Sequence, residues 1–270
     1  MYQVKDKVVL ITGGAAGIGR ELVRAFLTEG AKHIAVLDLD INNGRDLEEE
    51  LTSKHGPSKI KFYKCDVTSE DLNKCYDSVV RDVDYIDVVI NCAGILNDSP
   101  KVYLKAIAVN VTALISSSMK AYGLMRKDKG GRGGTIINIS SIMGLLQSGF
   151  LPIYSATKTA VLQFSNGLGM DINYSRSDVR VVTVCFGCTY TSLLERGKMA
   201  GVDEDVDDDM FTALERLPHQ TVESAARGFM EAFKMASSGS TWLVTSNKPA
   251  KDITSDVKEG FNITSRSIFQ

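Results

Sequence analysis

The chain has 270 residues, 44% of them hydrophobic and 24% charged, with a formal net charge of −2. That is enough chain for one large α/β core, and the charge balance argues against a dedicated nucleic-acid binder or a polybasic membrane anchor. Met1 to Lys7 is polar, and no apolar run reaches the length of a membrane span, so a soluble, cytoplasmic protein is expected.

Lys7–Thr12 is a short β-branched apolar run, the pattern of a buried parallel strand. Gly13-Gly14-Ala15-Ala16-Gly17-Ile18-Gly19 follows at once, then a helix from Arg20 to Glu29 that Gly30 ends. A glycine turn between strand and helix lets the backbone approach a pyrophosphate, and the helix start offers free N–H groups. His33–Asp38 is the second strand. Asp38 lies about 20 residues past the turn, where a carboxylate binds ribose hydroxyls and repels a 2′-phosphate, which favours NAD over NADP. Asp38 or Asp40 as a cap for the helix Asn42–His55 is the plain alternative.

Ile60–Cys65 is strand three. Asp66 at its end can take the adenine amino group while Val67 packs on the ring, or the segment is simply a helix start with Thr68 or Ser69 as cap, before the helix Asp71–Val83. Ile86–Ile90 is strand four. Asn91, Ala93 and Gly94 close it with small residues that suit either a cofactor or a tight turn. A long helix is expected over Pro100–Met125. Asn110 interrupts its apolar stretch, either kinking the helix and holding a water that leads to Lys158, or satisfied by a neighbouring carbonyl.

Gly134–Ser140 reads as a buried strand with Ser141 just past its end. A helix follows that carries Tyr154 and Lys158 four residues apart, on one face. A free tyrosine titrates near ~10. A lysine ammonium one turn away favours the phenolate, and a serine hydroxyl opposite can hold a carbonyl or alcohol oxygen. Together they make a proton-transfer site for an alcohol/ketone pair, which needs a hydride carrier. The helix is expected to run on through Val161, Leu162, Phe164, Leu168 and Ile172, with apolar surface to spare for a partner subunit. Val179–Cys185 is strand six. After it, Gly187 can let the backbone lie against a nicotinamide, and Thr189 and Thr191 can hold its amide or the diphosphate. Met199, Met210, Phe211 and Leu214 are candidates for an apolar lid.

The acidic run Gly201–Asp209 lacks the EF-hand glycine and terminal glutamate, so no metal is expected there. The five cysteines (Cys65, Cys75, Cys92, Cys185 and Cys188) read as reduced thiols. A helix Ala225–Met235 and a strand Thr241–Thr245 complete the pattern. The tail 246–270 is polar with scattered apolar residues, among them Ile253, Phe261 and Phe269. Alternation of strands and helices from Lys7 to Thr245 predicts one doubly wound parallel sheet, a single domain over 1–270 with its core at about 5–245 and a substrate loop at about 189–220.

With those motifs in order, the chain resembles the short-chain dehydrogenase/reductase family. The resemblance rests on Thr12-Gly13-x-x-x-Gly17-x-Gly19, Asp66-Val67, Asn91-x-Ala93-Gly94, Asn110, Ser141, Tyr154-x-x-x-Lys158, Gly187 and Thr191. Within the family, Ala93–Asp98, the Lys127–Gly134 loop and the wording around Tyr154 look closest to insect-type alcohol dehydrogenases and 15-hydroxyprostaglandin dehydrogenases, both NAD users. The resemblance implies a Rossmann-like fold and NAD as cofactor. It implies Tyr154 as general acid/base, Ser141 as the group orienting the substrate oxygen, Lys158 on the tyrosine and nicotinamide ribose, and Asn110 behind a relay water. It also implies a homodimer or homotetramer built on the helices of Asn110 and Tyr154. One departure stands out, since Phe186 replaces the proline the family usually has before Gly187. The expected function is NAD-linked oxidation of an alcohol, with a lipophilic substrate suggested by the methionine-containing segment after Thr191. The alternatives are a catalytically silent dinucleotide- or lipid-binding sensor or carrier, and an epimerase or dehydratase, for which the chain is short.

Overall fold

Every side chain of β1 (Val8–Thr12) is buried. A strand covered on both faces has no polar side to turn to water, so it belongs in the middle of a parallel sheet. It pairs in parallel with β2 (His33–Asp38) on one side and β4 (Val88–Asn91) on the other. The computed structural model describes residues 1–268. The first half continues through α1 (Gly17–Thr28), α2 (Ile41–His55), β3 (Ile60–Lys64) and α3 (Asp71–Val83). Beyond β4 come α4 (Tyr103–Ile107), a wide π turn (Ala108–Ala113), α5 (Leu114–Met125), β5 (Gly134–Ser141), α6 (Pro152–Leu168), α7 (Asp171–Ser177) and β6 (Val179–Phe186). The chain closes with β7 (Cys188–Thr189), α8 (Asp207–Glu215), β8 (His219–Gln220), α9 (Val222–Met235), β9 (Ser240–Val244), β10 (Lys251–Asp252) and α10 (Thr254–Ser265).

The main sheet runs β10-β9-β6-β5-β4-β1-β2-β3. From β1 the chain winds outward through β2 and β3, then returns to start the other half at β4. The direction of winding therefore reverses between β1 and β4, and the crevice outside their carboxyl ends is where such a sheet takes a ligand. This is the doubly wound Rossmann-type sheet that the strand–helix alternation predicts. The antiparallel edge strand β10 and the short β7–β8 pair are additions too brief to show as periodicity.

Alternate residues of each strand serve opposite faces. Val9, Ile11, Val182 and Val184 pack with α1, α2 and α9 on one side. Leu10, Val89, Ile136 and Val181 pack with α3 and α5 on the other. Phe26 meets Phe229 and Phe233 edge to face, with centroids 6.2 and 5.2 Å apart, which ties α1 to α9.

Two helices differ in detail from their sequence pattern. The helix expected over Pro100–Met125 starts at Tyr103 and runs without a gap to Met125, and the interruption expected at Asn110 takes the form of the π turn between α4 and α5. The helix of Tyr154 stops at Leu168, because a Cβ on Gly169 would come within 2.5 Å of the Gly239 nitrogen, and only glycine fits where the two backbones pass. Ile172 therefore belongs to α7, where it is exposed. The tail after β9 forms β10 and α10, and Phe269 lies outside the described residues. Among the described residues, no helix is long and apolar enough to cross a membrane.

Candidate active site

The cleft is built first from glycines. Gly13 and Gly17 both have positive φ, 68° and 52°, and a Cβ on Gly19 would lie 2.1 Å from the Gly13 carbonyl oxygen. The turn is thus closed to larger residues at three points. The N-cap of α1 is Ala16, which has no acceptor, so the first-turn N–H groups of α1 remain available to an anion at the mouth of the turn. Thr12 fixes the neighbouring turn, its Oγ1 accepting from the Cys92 and Ala93 nitrogens at 3.2 and 3.3 Å.

Asp38 and Asp40 divide the two roles open to them. Asp40 caps α2, accepting from the Asn43 nitrogen at 3.0 Å. Asp38 turns back to the glycine turn, where Oδ2 accepts from the Ala15 nitrogen at 3.0 Å and Oδ1 from the Asp40 nitrogen at 3.1 Å. A carboxylate oxygen accepts more than one bond, so both retain capacity for a ribose hydroxyl. Asp66 accepts from the Thr68 nitrogen and hydroxyl, which hold its carboxyl below the usual range, and it lines the cleft with Val67. Asp66 serves the turn before α3 and faces the cleft at once.

At the other end of a cavity of about 430 Å³ stand Ser141, Tyr154 and Lys158. The Lys158 Nζ donates to the Ile139 carbonyl at 3.1 Å and lies 5.6 Å from the Tyr154 ring centroid. The Ser141 hydroxyl is near enough to the Tyr154 phenol to favour its phenolate, and it accepts from the Met143 nitrogen at 3.2 Å. Burial pushes Lys158 down to about 8. Burial also pushes the Tyr154 phenol up, against the Ser141 hydrogen bond, which favours the phenolate. The arrangement can hold an alcohol or carbonyl oxygen between two hydroxyls and pass a proton to it.

Gly13, Gly17, Ile18, Gly19, Asp38, Asp66, Val67, Ala93, Gly94, Ser141, Tyr154, Lys158, Gly187, Thr189 and Thr191 all line this one cleft. Two residues expected there do not. Asn91 is buried beneath the floor, donating to Ser118 and to Asn138 at 3.0 and 2.8 Å, and Asn138 passes the network on to Ser165. Its position at the last residue of β4 points its side chain into the α5 layer. The Asn110 side chain is also bonded within the protein. It accepts from the Ile95 nitrogen and donates to the Ile95 carbonyl, both at 2.8 Å, as a neighbouring strand would. It further donates to Thr157 at 3.2 Å. Its amide pins the loop after β4 to the helix of Tyr154, while the π turn around it breaks the regular carbonyl ladder.

Gly187 is forced, because a Cβ there would lie 2.0 Å from the Thr245 hydroxyl. Thr189 donates to the Gly187 carbonyl at 2.9 Å and accepts from Gln220 at 3.0 Å, so its hydroxyl is engaged within the protein. Over Tyr154 lies an apolar roof of Leu96, Met143, Leu151, Met199, Met210 and Phe211.

A family model described as short chain dehydrogenase matches residues 7–199. The NAD(+) 15-hydroxyprostaglandin dehydrogenase of Macaca fascicularis is 35% identical over 193 residues, covering 71% of this chain and 71% of that one. Alcohol dehydrogenase 1 of Ceratitis cosyra is 38% identical over 192 residues, 70% of this chain and 73% of that one. The chain belongs to the short chain dehydrogenase family. Its fold is also that of levodione reductase, with a TM-score of 0.75 at 18% identity over 90% of this chain and 97% of that one. The 3-ketoacyl-(acyl-carrier-protein) reductase of Brucella melitensis, complexed with NADH, gives 0.73 at 20% identity over 90% and 98%.

For a family member, Phe186 is the notable departure, and the structure accommodates it. The residue is buried in the cluster formed with Ile139, Val184 and Val244, while also bordering the cleft. Three features of the site were not legible as site residues. Gln220 holds Thr189 from a part of the chain with weak pattern. Met143 and Leu151 join the roof from a glycine-rich loop. Asp98 reaches the start of α6 from a turn. For Asp98 a signal existed, since α6 begins with Pro152 and lacks a polar N-cap.

Proposed function

We propose that this protein is an NAD-dependent alcohol dehydrogenase acting on a lipophilic alcohol, with Tyr154 as general acid/base. The observation that carries the reading is the meeting of Ser141, Tyr154 and Lys158 at one end of a single cleft whose other end holds Asp38 and the glycine turn. NAD supplies the hydride acceptor when bound. The chain's own residues do the rest. Ser141 orients the substrate oxygen by hydrogen bond, and Tyr154 takes the hydroxyl proton. Lys158 favours the phenolate by its charge and is within reach of a ribose hydroxyl. Asp38 selects the dinucleotide without a 2′-phosphate, since a carboxylate repels one. Asn110 braces the site through Ile95 and leaves backbone of the π turn for a relay water.

A lipophilic substrate is supported by the roof over Tyr154, whose side chains are leucine, methionine and phenylalanine. The relatives named above carry NAD(+), prostaglandin and alcohol in their names, which agrees with this reading. A cytoplasmic dimer is part of the same proposal. Leu104 and Ile107 on α4 and Met119 on α5 are exposed apolar side chains on the helix that carries Asn110. The test is turnover of purified protein with NAD or NADP on a panel of primary, secondary and long-chain alcohols. NADH formation on a lipophilic alcohol supports the reading. Tight NAD binding with no turnover on any of them would point to a sensor or carrier instead.

A further inference from the structure

The helix that presents Tyr154 starts without a cap of its own. Its N-cap residue, Leu151, has no acceptor, and Pro152 occupies the first turn. The next two N–H groups, of Ile153 and Tyr154, stand where the helix enters the apolar cluster of Leu151 and Tyr154, and an unpaired donor is costly there. Both are taken by Asp98, from the loop after β4. Its Oδ2 accepts from the Ile153 nitrogen at 2.6 Å and its Oδ1 from the Tyr154 nitrogen at 2.9 Å. The carboxylate is only 2% exposed. These are the bonds a serine or aspartate N-cap ordinarily makes, here supplied from a distant part of the chain.

The same turn holds the roof. The Asp98 nitrogen donates to the Ala200 carbonyl at 2.8 Å. The Asn97 amide donates to the Lys198 carbonyl at 3.0 Å, and its oxygen accepts from the Ser99 nitrogen and hydroxyl, which stiffens the turn. Between those two anchored carbonyls sits Met199, buried against Leu96 and Tyr154. Neither Asn97 nor Asp98 lines the cleft.

We propose that Asp98 is a positioning residue for Tyr154, fixing the height of its hydroxyl against Ser141 and Lys158, and that with Asn97 it makes this placement depend on the roof at 198–200 being seated. The proposal rests on Tyr154 being the acid/base. Asp98 sits one peptide from the reactive side chain, and its carboxylate is joined to the backbone of Tyr154 itself. A loss of its two bonds lets the first turn of α6 fray, and an oxygen displaced by about 1 Å costs on the order of 100-fold in rate. Its charge also acts on the phenol. The titratable groups facing Tyr154 are Lys158 on its own helix, Cys92 after β4, Cys188 after β6, and Asp98. Of these, Asp98 disfavours the phenolate by like charge, so removing that charge moves the phenol toward lower pH.

The experiment compares Asp98→Asn, Asp98→Ala, Asn97→Ala and Tyr154→Phe in steady-state NAD-linked alcohol oxidation across pH, with NAD binding measured alongside. Asp98→Ala is expected to lower kcat roughly 10- to 100-fold with NAD affinity unchanged. Asp98→Asn keeps one acceptor oxygen and the side-chain shape, so it should recover part of kcat and shift the pH midpoint of turnover downward. That shift is something mere loosening of the fold would not produce. Asn97→Ala leaves the cap in place and should raise KM for the alcohol more than it lowers kcat. An Asp98→Asn enzyme with wild-type kcat and pH midpoint overturns the proposal, even if Asp98→Ala fails to fold. If Tyr154→Phe itself turns over normally, the acid/base reading fails and takes the proposal with it. If Tyr154→Phe is dead while Asp98→Asn is unchanged, only the role of Asp98 is lost.

Discussion

A buried lysine is costly where it stands. Lys158 is 4% exposed, and no carboxylate lies among the groups that act on it. Its fall from 10.5 to about 8 corresponds to roughly 3 kcal/mol of stability given up to hold the ammonium there. Lys158→Met should therefore raise the unfolding free energy near pH 7 while abolishing turnover. The gain is full below about pH 8, where the native lysine is charged. It shrinks as pH rises toward 10.5, because the native lysine is then neutral while the unfolded one is still protonated. Denaturant unfolding of both proteins across that range checks the sign. A gap that widens with pH would show that the lysine is not strained. Asp38 offers a second test at this scale. Asp38→Ala should weaken NAD by a larger factor than NADP, and calorimetric titration with both cofactors measures it. Equal losses would mean that Asp38 holds only the Ala15 turn. The residue chemistry was largely readable in advance because charge and hydrogen-bonding type are local properties. Asn91 and Asn110 are instructive, since the sequence left a cofactor-side and a structural reading open for each and the structure engages both side chains within the protein. An asparagine's side chain suits a cofactor and a buried backbone equally well, and only the neighbours decide which it meets.

At the scale of elements, strands and most helices could be read from periodicity, since β1 and β6 are buried along their whole length and β5 from Thr135 on. An interruption at Asn110 was one of two readings the sequence allowed, but its form as a π turn and the end of α6 were not readable. The π turn at Ala108–Ala113 follows from Asn110 reaching Ile95, a contact 15 residues away. The end of α6 follows from Gly169 meeting Gly239, 70 residues away in the chain. Such limits are set by tertiary approach, which no local pattern carries. The glycine turn is the opposite case, since its constraint lies within one segment. Gly19→Ala places a methyl against the Gly13 carbonyl and should deform the turn. The expected result is a tenfold or greater loss of NAD affinity, roughly 1.4 kcal/mol, with far-ultraviolet circular dichroism unchanged. Unchanged NAD affinity would mean that the turn can yield without consequence for the cleft.

For the whole molecule, alternation pointed to a doubly wound parallel sheet, and the order of its strands, which alternation does not fix, places the crevice between β1 and β4. The roof was less legible. Met199, Met210 and Phe211 could be picked out as apolar, but that they close over Tyr154 depends on the turn at Asn97 and Asp98. The outer face of α4 and α5 bears on assembly. Leu104, exposed at 67%, and Met119 should be covered by a second copy. Sedimentation should give at least twice the 29.4 kDa of one chain, and Leu104→Lys with Met119→Lys should shift the protein toward the monomer. A wild-type chain that sediments as a monomer at all accessible concentrations would leave those exposed side chains unexplained.

The central claim is that one cleft combines a dinucleotide and a tyrosine that moves the alcohol proton. The most direct test is Tyr154→Phe, which removes one hydroxyl and little else, assayed for NADH formation on the best lipophilic alcohol alongside NAD binding. The account predicts NAD affinity close to wild type and turnover lowered by at least about 1,000-fold. Turnover near the wild-type level would contradict it.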